Sequence, residues 1–253
     1  MAEPALAIRN CAVGSALSMA KGFGRYKPEE EKAVRKVEVA GDELSYLRQR
    51  REMLRSMTPE QALQVIEFHK GLNVFQALEL AKKQGKLIVP NDVHDRILTE
   101  TDAKYTVWTG TMTVYEEQGT PFGKAVEYTD RKTRIRLVFP VPDEFIGVKN
   151  GLLVVEHPDF TLEADGNNRI VRAVNVSLVK DFPTEDGWHL TDPAHDIPFG
   201  RKTDSSNPDA RLLWRARKKR VRLVTRGAGY GGCGGKVVDV HGSLSGAFGV
   251  ALF

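Results

Sequence analysis

The pattern of apolar and polar positions divides the chain into three regions. Residues 1–40 have no sustained apolar face and carry the charged run KPEEEKAVRK, which is typical of a poorly ordered arm. Between residues 41 and 100, apolar residues recur at three- and four-residue spacing, as on one face of a helix. From residue 101 onward, short runs rich in Val, Thr and aromatic residues indicate strands. The order predicts an α+β fold, with a helical region at 41–100 followed by a mixed, strand-rich domain at 101–253.

Local start and stop signals bound the predicted helices. Thr58 and Gln61 match a capping box with Pro59 in the first turn, and Gly71 is the expected end of that helix. Gly85 is a C-terminal stop for the helix that follows. The predicted helices are 42–57, 58–71, 73–84 and 91–98, with an extended segment at 87–90.

Strand and turn signals dominate the rest of the chain. The predicted strands are 106–115, 134–141, 151–155, 160–162, 170–179, 211–216 and 221–226. Residues 181–210 are rich in Pro, Asp, Ser and Gly, which is typical of a long loop. The last seven residues, 247–253, contain one Gly and six apolar residues and are too apolar to prefer water. We therefore expect a packed strand at the C-terminus.

Composition limits the classes of protein that remain. A hydrophobic fraction of 41% with 28% charged residues is ordinary for a globular protein of 253 residues. The net charge of +4 does not by itself require a nucleic-acid partner. Two distant cysteines, Cys11 and Cys233, indicate neither a disulfide framework nor a tetrahedral zinc site. No apolar run approaches a membrane span and no signal peptide is evident, so the predicted location is cytoplasmic by default, or exported or particle-associated by another route.

The segment HLTDPAHD, residues 189–196, suggests a metal-binding site. Four of its side chains have the types and spacing of divalent-metal ligands: His189, Asp192, His195 and Asp196. Pro193 excludes a regular helix there, so the spacing does not place the four on one face. A surface loop anchored by Trp188 is the simpler interpretation. We predict no metal and no cofactor, and a metal-dependent hydrolase ranks third among the functions considered.

A basic run precedes the C-terminal region. Six of its eight residues are positively charged: Arg215, Arg217, Lys218, Lys219, Arg220 and Arg222. Such a run could bind phosphates with salt-dependent affinity, but Trp214 is the sole aromatic residue nearby, which argues against a base-stacking surface. A charged hairpin tip is the simpler interpretation. Nucleic-acid binding through residues 215–222 is the alternative function.

The glycine-rich stretch that follows carries no catalytic motif. Residues 227–235 contain six glycines, but Val237 rather than Ser or Thr follows Lys236, so they do not form a phosphate loop. Cys233 has no His or Asp at a spacing that would activate it as a nucleophile. The chain is therefore predicted not to be an enzyme.

The composition of the last 28 residues differs from that of the rest. Lys, Glu, Gln, Met and Trp account for 49 of the 253 residues, but among residues 226–253 only Lys236 belongs to this group. Together with the segments before it, this C-terminal region resembles the variable proteins of diversity-generating retroelements, which have a C-type-lectin-like fold. The segments are WHLTDP at 188–193, IPFG at 197–200, NPDARLLWR at 207–215, VRLVTRG at 221–227 and SLSGAFGVAL at 243–252.

The resemblance covers residues 180–253 and implies a function. In that family, template adenines are mutated, and the resulting codons end in a pyrimidine and cannot encode Lys, Glu, Gln, Met or Trp. The resemblance implies a ligand-binding module whose variable region, near 227–246, binds a protein or cell-surface ligand, with Tyr230 as the best single anchor. The implied ligand-binding residues are Ala228, Gly229, Tyr230, Gly232, Cys233, Val238, Asp239, Val240, His241 and Ser243. The sequence leaves the oligomeric state open.

Overall fold

The computed structural model describes residues 24–25, 41–117, 119–130, 132–165, 168–180, 187–192, 194–195, 197–207, 209–213, 221–227, 237–241 and 248–253. It describes the backbone alone at 24–25, 41–42, 165, 198–201, 213, 222 and 237–241. This part of the chain contains four α-helices: α1 Gly41–Ser56, α2 Pro59–Val65, α3 Val74–Gln84 and α4 Asn91–Glu100. Its first seven strands are β1 Gly24–Arg25, β2 Glu67–Leu72, β3 Thr106–Tyr115, β4 Ala125–Asp130, β5 Ile135–Pro140, β6 Leu152–Val155 and β7 Phe160–Asp165. The others are β8 Asn168–Ala173, β9 Ser177–Val179, β10 Gly187–Asp192, β11 Ile197–Lys202, β12 Ala210–Leu213, β13 Val221–Gly227, β14 Val237–His241 and β15 Phe248–Leu252.

The capping box at Thr58 and the stop at Gly85 act as expected. Thr58 and Gln61 form the predicted capping box at the start of α2, and Asn73 forms a second one with Gln76 at the start of α3. Gly85 ends α3 in the left-handed conformation with φ 61°. The predicted α+β, strand-rich character of the chain is confirmed.

The second predicted helix is too long. It ends at Val65 rather than at Gly71, because Ile66 is extended with φ −84° and ψ 141°. Residues 67–72 form β2, which pairs antiparallel with the C-terminal strand β15. The helical spacing of apolar residues continues past Val65, but backbone hydrogen bonds from a distant strand decide the conformation.

The strands form three sheets. The largest has the order β1-β2-β15-β3-β13-β14, with β6 also pairing with β3 and β9 pairing with β6. The second is β4-β5-β8-β7 and the third is β11-β10-β12. The strand β15 therefore lies between β2 and β3, and β3 lies between β15 and β13.

The prediction of a long loop at 181–210 is wrong. Its residues 187–192 and 197–202 are β10 and β11, which pair antiparallel with a register shift between His189 and Thr191. The strand β12 pairs along the other side of β10 and completes a small sheet. The strand β4 was not predicted, and residues 170–179 divide between β8 and β9.

Helices and strands share the hydrophobic cores. In one core, Trp108 of β3 packs with the apolar face of α3 and with residues of the second sheet. In another, Leu54 of α1 and Val93 of α4 pack with Val107 of β3. The C-terminal strand contributes Val250 and Leu252 to the first core and Ala251 and Phe253 to the second. The predicted packed terminal strand is confirmed. None of the helices described is long and apolar enough to span a membrane.

Candidate functional site

The predicted binding residues fall into two groups. Six lie outside the residues that the structure describes: Ala228, Gly229, Tyr230, Gly232, Cys233 and Ser243. The other four, Val238, Asp239, Val240 and His241, belong to β14, which pairs antiparallel with β13. In this register Thr225 is opposite Asp239 and Val224 is opposite Val240. The structure thus brings these four positions into the large sheet, at the end of its strand order.

The strand that supports β14 is buried. Val224 and Arg226 of β13 are at most 1% exposed, and Thr225 is 5% exposed. Thr109 of β3 donates a side-chain hydrogen bond of 2.9 Å to the Val224 carbonyl. The third sheet adds a further neighbour, since β12 also lies close to β14. The predicted surface therefore borders a strand whose two faces are both buried.

Beneath β13 lies a buried charge cluster that we call the Asp95 network, made of Asp95, Arg211 and Arg226. Arg226 Nε donates to Asp95 Oδ1 at 2.9 Å, and Arg211 Nε donates to Asp95 Oδ2 at 2.9 Å. Such charge-assisted hydrogen bonds are among the stronger polar contacts in a protein interior. The network ties α4 to β12 and β13, the strands that lie next to the predicted surface.

A neutral pair extends the Asp95 network. His94 Nδ1 lies 2.9 Å from the hydroxyl oxygen of Tyr105, and both side chains are buried. Burial, reinforced by the charge of Arg226, lowers the pKa of His94 to about 3. Burial and the charge of Asp95 raise the pKa of Tyr105. Both groups are therefore uncharged at neutral pH, which suits them to a structural role rather than to proton transfer.

The described residues of the metal hypothesis, His189, Asp192 and His195, are not assembled as a ligand set. His189 is buried on β10 at 3% exposure, and Asp196 lies outside the described residues. His195 lies between two carboxylates, with Nδ1 3.7 Å from Glu156 and Nε2 4.0 Å from Asp192. Among the side chains that the structure describes, no group of three or more His, Cys, Asp and Glu could hold a metal ion.

Glu156 belongs to an ion-pair group with Arg51 and His195. Arg51 Nη2 lies 2.7 Å from Glu156 Oε2. Burial alone would raise the pKa of Glu156, but the nearby imidazole of His195 and the charge of Arg51 bring this pKa below its usual value. Glu156 is therefore ionised at neutral pH and joins α1 to the turn between β10 and β11.

Arginines on α1 provide a second set of contacts. Arg48, Arg51 and Arg55 line an open groove of about 750 Å³ along this helix. Arg48 contacts Asp159 at 2.9 Å, and Arg55 contacts Asp92 at 2.8 Å. Because each of the three arginines already has a carboxylate partner, the groove offers no free cationic site. The contacts instead attach α1 to the rest of the domain.

The basic run of the alternative function lies almost entirely outside the described residues. This applies to Trp214, Arg215, Arg217, Lys218, Lys219 and Arg220, and the backbone alone places Arg222 in β13. Nucleic-acid binding through this run stays a prediction.

Sequence reasoning missed the Asp95 network. Asp95 occupies a helix whose charged residues look solvent-exposed in the sequence, and Arg226 ends the apolar run VRLVTR. The one available signal was the position of Arg226, since a charged residue within an apolar strand is expected to have a buried partner. Comparison with protein families, with curated proteins and with solved structures gives no match to this chain.

Proposed function

We propose that this chain is a non-enzymatic ligand-binding protein that presents an interchangeable C-terminal surface on a C-type-lectin-like domain, as variable proteins of diversity-generating retroelements do. The interchangeable positions are the ten predicted above, and they lie in residues 228–247, the segment between β13 and β15 that we call the C-terminal tract. The observation that carries the proposal is the composition of residues 226–253, where Lys236 alone belongs to five residue types that make up 48 of the other 225 residues. The tract lies between the strands β13 and β15. The described side chains of β13 are buried, and so are Val250, Ala251 and Leu252 of β15.

The C-terminal strand joins the two sides of the helical segment. The strand β2 is followed by the helices α3 and α4 and then by β3, and the last strand of the chain, β15, pairs with both β2 and β3. The last strand of the chain thus lies between the strands that precede and follow the two helices. The proposed surface would then project from the β13–β14 side of the sheet.

The energetics of the two regions explain how one surface can vary while the fold persists. Removing one partner from a buried ion pair costs on the order of 3–5 kcal/mol, whereas most exposed substitutions change stability by less than about 0.5 kcal/mol. Arg226 is 1% exposed and bound to Asp95, so replacing it is expected to carry the larger loss of stability. Variation confined to the C-terminal tract would leave these contacts intact.

Two randomised libraries test the proposal. The first randomises the ten predicted positions with codons that end in a pyrimidine. The matched control randomises ten framework positions with the same codons: Val221, Leu223, Val224, Thr225, Arg226, Gly227, Gly249, Val250, Ala251 and Leu252. We expect most clones of the first library, but few of the control, to be soluble and to unfold cooperatively. Equal losses in the two libraries would contradict the proposal.

Binding is then measured on the folded clones. Selection of the first library on immobilised serum albumin is expected to yield binders whose changes lie at the predicted positions. Duplex DNA serves as the probe for the alternative function, at low salt and at 200 mM salt. A DNA affinity that falls steeply with salt and is abolished by neutralising Arg217 to Arg220 would favour nucleic-acid binding instead.

The neighbouring DNA provides an independent test. Under the proposal, the gene lies beside a reverse transcriptase gene and a near-identical copy of the region encoding the C-terminal tract, differing chiefly at adenines. Sister sequences with differences scattered evenly along the chain would contradict it.

A further inference from the structure

The two strands that bound the C-terminal tract meet at one residue of β3. Gly227, the last residue of β13, is opposite Thr106, the first residue of β3, in the antiparallel register. The strand β15 pairs with β3 on its other side, with Val250 opposite Trp108. Because neighbouring strands lie about 4.8 Å apart, the tract leaves the sheet and returns to it about 10 Å away.

Gly227 is packed directly against Thr106. A Cβ at position 227 would lie 2.3 Å from Thr106 Oγ1 and 3.0 Å from both its Cβ and Cγ2. Rotation of the Thr106 side chain cannot relieve all three contacts, since its Cβ does not move. Any larger residue at 227 must therefore displace β13 from β3.

Gly249 is packed against the same residue from the other side. A Cβ at position 249 would lie 3.1 Å from the Thr106 carbonyl oxygen and 3.4 Å from the His69 carbonyl oxygen. Both are backbone atoms, so no side-chain rotation makes room for the Cβ. Beside Gly249, the Phe248 ring packs edge-on against the Trp108 indole, with 5.5 Å between ring centroids.

We infer that Thr106, Gly227 and Gly249 are positioning residues for the proposed binding surface and form a clamp, the Thr106 clamp, that fixes both ends of the C-terminal tract. The inference rests on the proposed function, because a variable surface needs ends that stay in place when its residues change. It also predicts where variation stops, because a Cβ at 227 would overlap the Thr106 side chain and a Cβ at 249 would press against two backbone oxygens. The Asp95 network reinforces the clamp through Arg226, the residue before Gly227.

Hydrogen exchange of the whole protein, without any ligand, tests the clamp. In Gly227→Ala we expect the amides of β14 and of the end of β13 to exchange about tenfold faster, while the amides of α3 are unchanged. Gly123→Ala is the matched control, because a Cβ at position 123 meets no atom within 4 Å. Its exchange is expected to match that of the parent protein throughout.

A second substitution distinguishes the clamp from general destabilisation. Thr106→Ala removes the Oγ1 and Cγ2 atoms that a Cβ at 227 would meet, and Thr106 is exposed, so this change alone costs little. In Gly227→Ala combined with Thr106→Ala, we expect most of the lost protection to return. Gly249→Ala is expected to gain nothing from Thr106→Ala, because its conflict is with backbone oxygens.

Two results would overturn the inference. One is unchanged exchange of β14 in Gly227→Ala, and the other is a loss of protection that Thr106→Ala does not relieve. Neither depends on binding, so a clamp can be established even if the libraries reject the display function. Conversely, suppose that the first library yields folded binders while amide exchange of β14 is unchanged in Gly227→Ala. This result would reject the clamp but not the display function.

Discussion

Replacing Asp95 with Asn removes the carboxylate on which Arg211 and Arg226 converge. The side chains of Arg226, Arg211 and Asp95 are 1%, 10% and 12% exposed, so water can compensate the loss of charge only in part. Breaking a buried pair in this way costs about 3–5 kcal/mol, and because the two arginines have further contacts, about 3 kcal/mol is the reasonable expectation. For a chain of this length, that loss corresponds to a decrease in Tm of roughly 6–12 °C.

Urea unfolding monitored by circular dichroism measures this change. Asp102→Asn is the matched control, because Asp102 is exposed and the same substitution there is expected to cost less than about 0.5 kcal/mol. A triple variant, Asp95→Leu with Arg211→Met and Arg226→Met, is expected to recover much of the stability, because apolar residues of similar volume can replace a buried ion pair. A loss below about 1 kcal/mol in Asp95→Asn would refute the energetic role assigned to the Asp95 network.

The remaining predictions concern pH and backbone conformation. In the folded state the pKa of His94 is about 3, against an ordinary value of 6.5, so its contribution to stability is complete above pH 6.5 and is lost as the pH falls towards 3. Through His94 alone, the free energy of unfolding should therefore be about 2 kcal/mol lower at pH 5 than above pH 6.5. His94→Gln should flatten this dependence of the unfolding free energy on pH. An unchanged slope in the variant would contradict the assignment. Gly110→Ala and Gly119→Ala both place a side chain at positive φ, but only at 110 would the Cβ meet a neighbour, His157 Cβ at 2.9 Å. Gly110→Ala should lose about 1–3 kcal/mol more than Gly119→Ala on denaturant unfolding, and equal losses would contradict the close approach.

The parts of the fold that sequence reasoning predicted well depend on short-range physics. A capping box such as Thr58–Gln61 satisfies backbone groups within one turn, and Gly85 ends a helix through its own backbone conformation. The strand β3 was predicted with its observed bounds because its Val, Thr and aromatic residues suit a strand wherever it pairs. These features are decided by residues fewer than five positions apart.

Other elements were decided by partners that the local pattern does not reveal. Residues 67–72 follow a helical pattern but pair with β15, about 180 residues further along the chain. Residues 187–202 have a loop-like composition but become strands because β12 is available to complete a sheet. The same reason explains why β4 was not predicted, since β5 supplies its backbone partners.

For the candidate site, the sequence determined the compositional contrast of the last 28 residues and the apolar strand that closes the chain. The tertiary structure decided which residues support that region. It brought Asp95 to Arg211 and Arg226 across 116 and 131 positions, and it placed Gly227 and Gly249 on either side of Thr106. Burying a charge or omitting a Cβ is favourable only when a specific neighbour is present, and that neighbour is set by strand order rather than by adjacent residues.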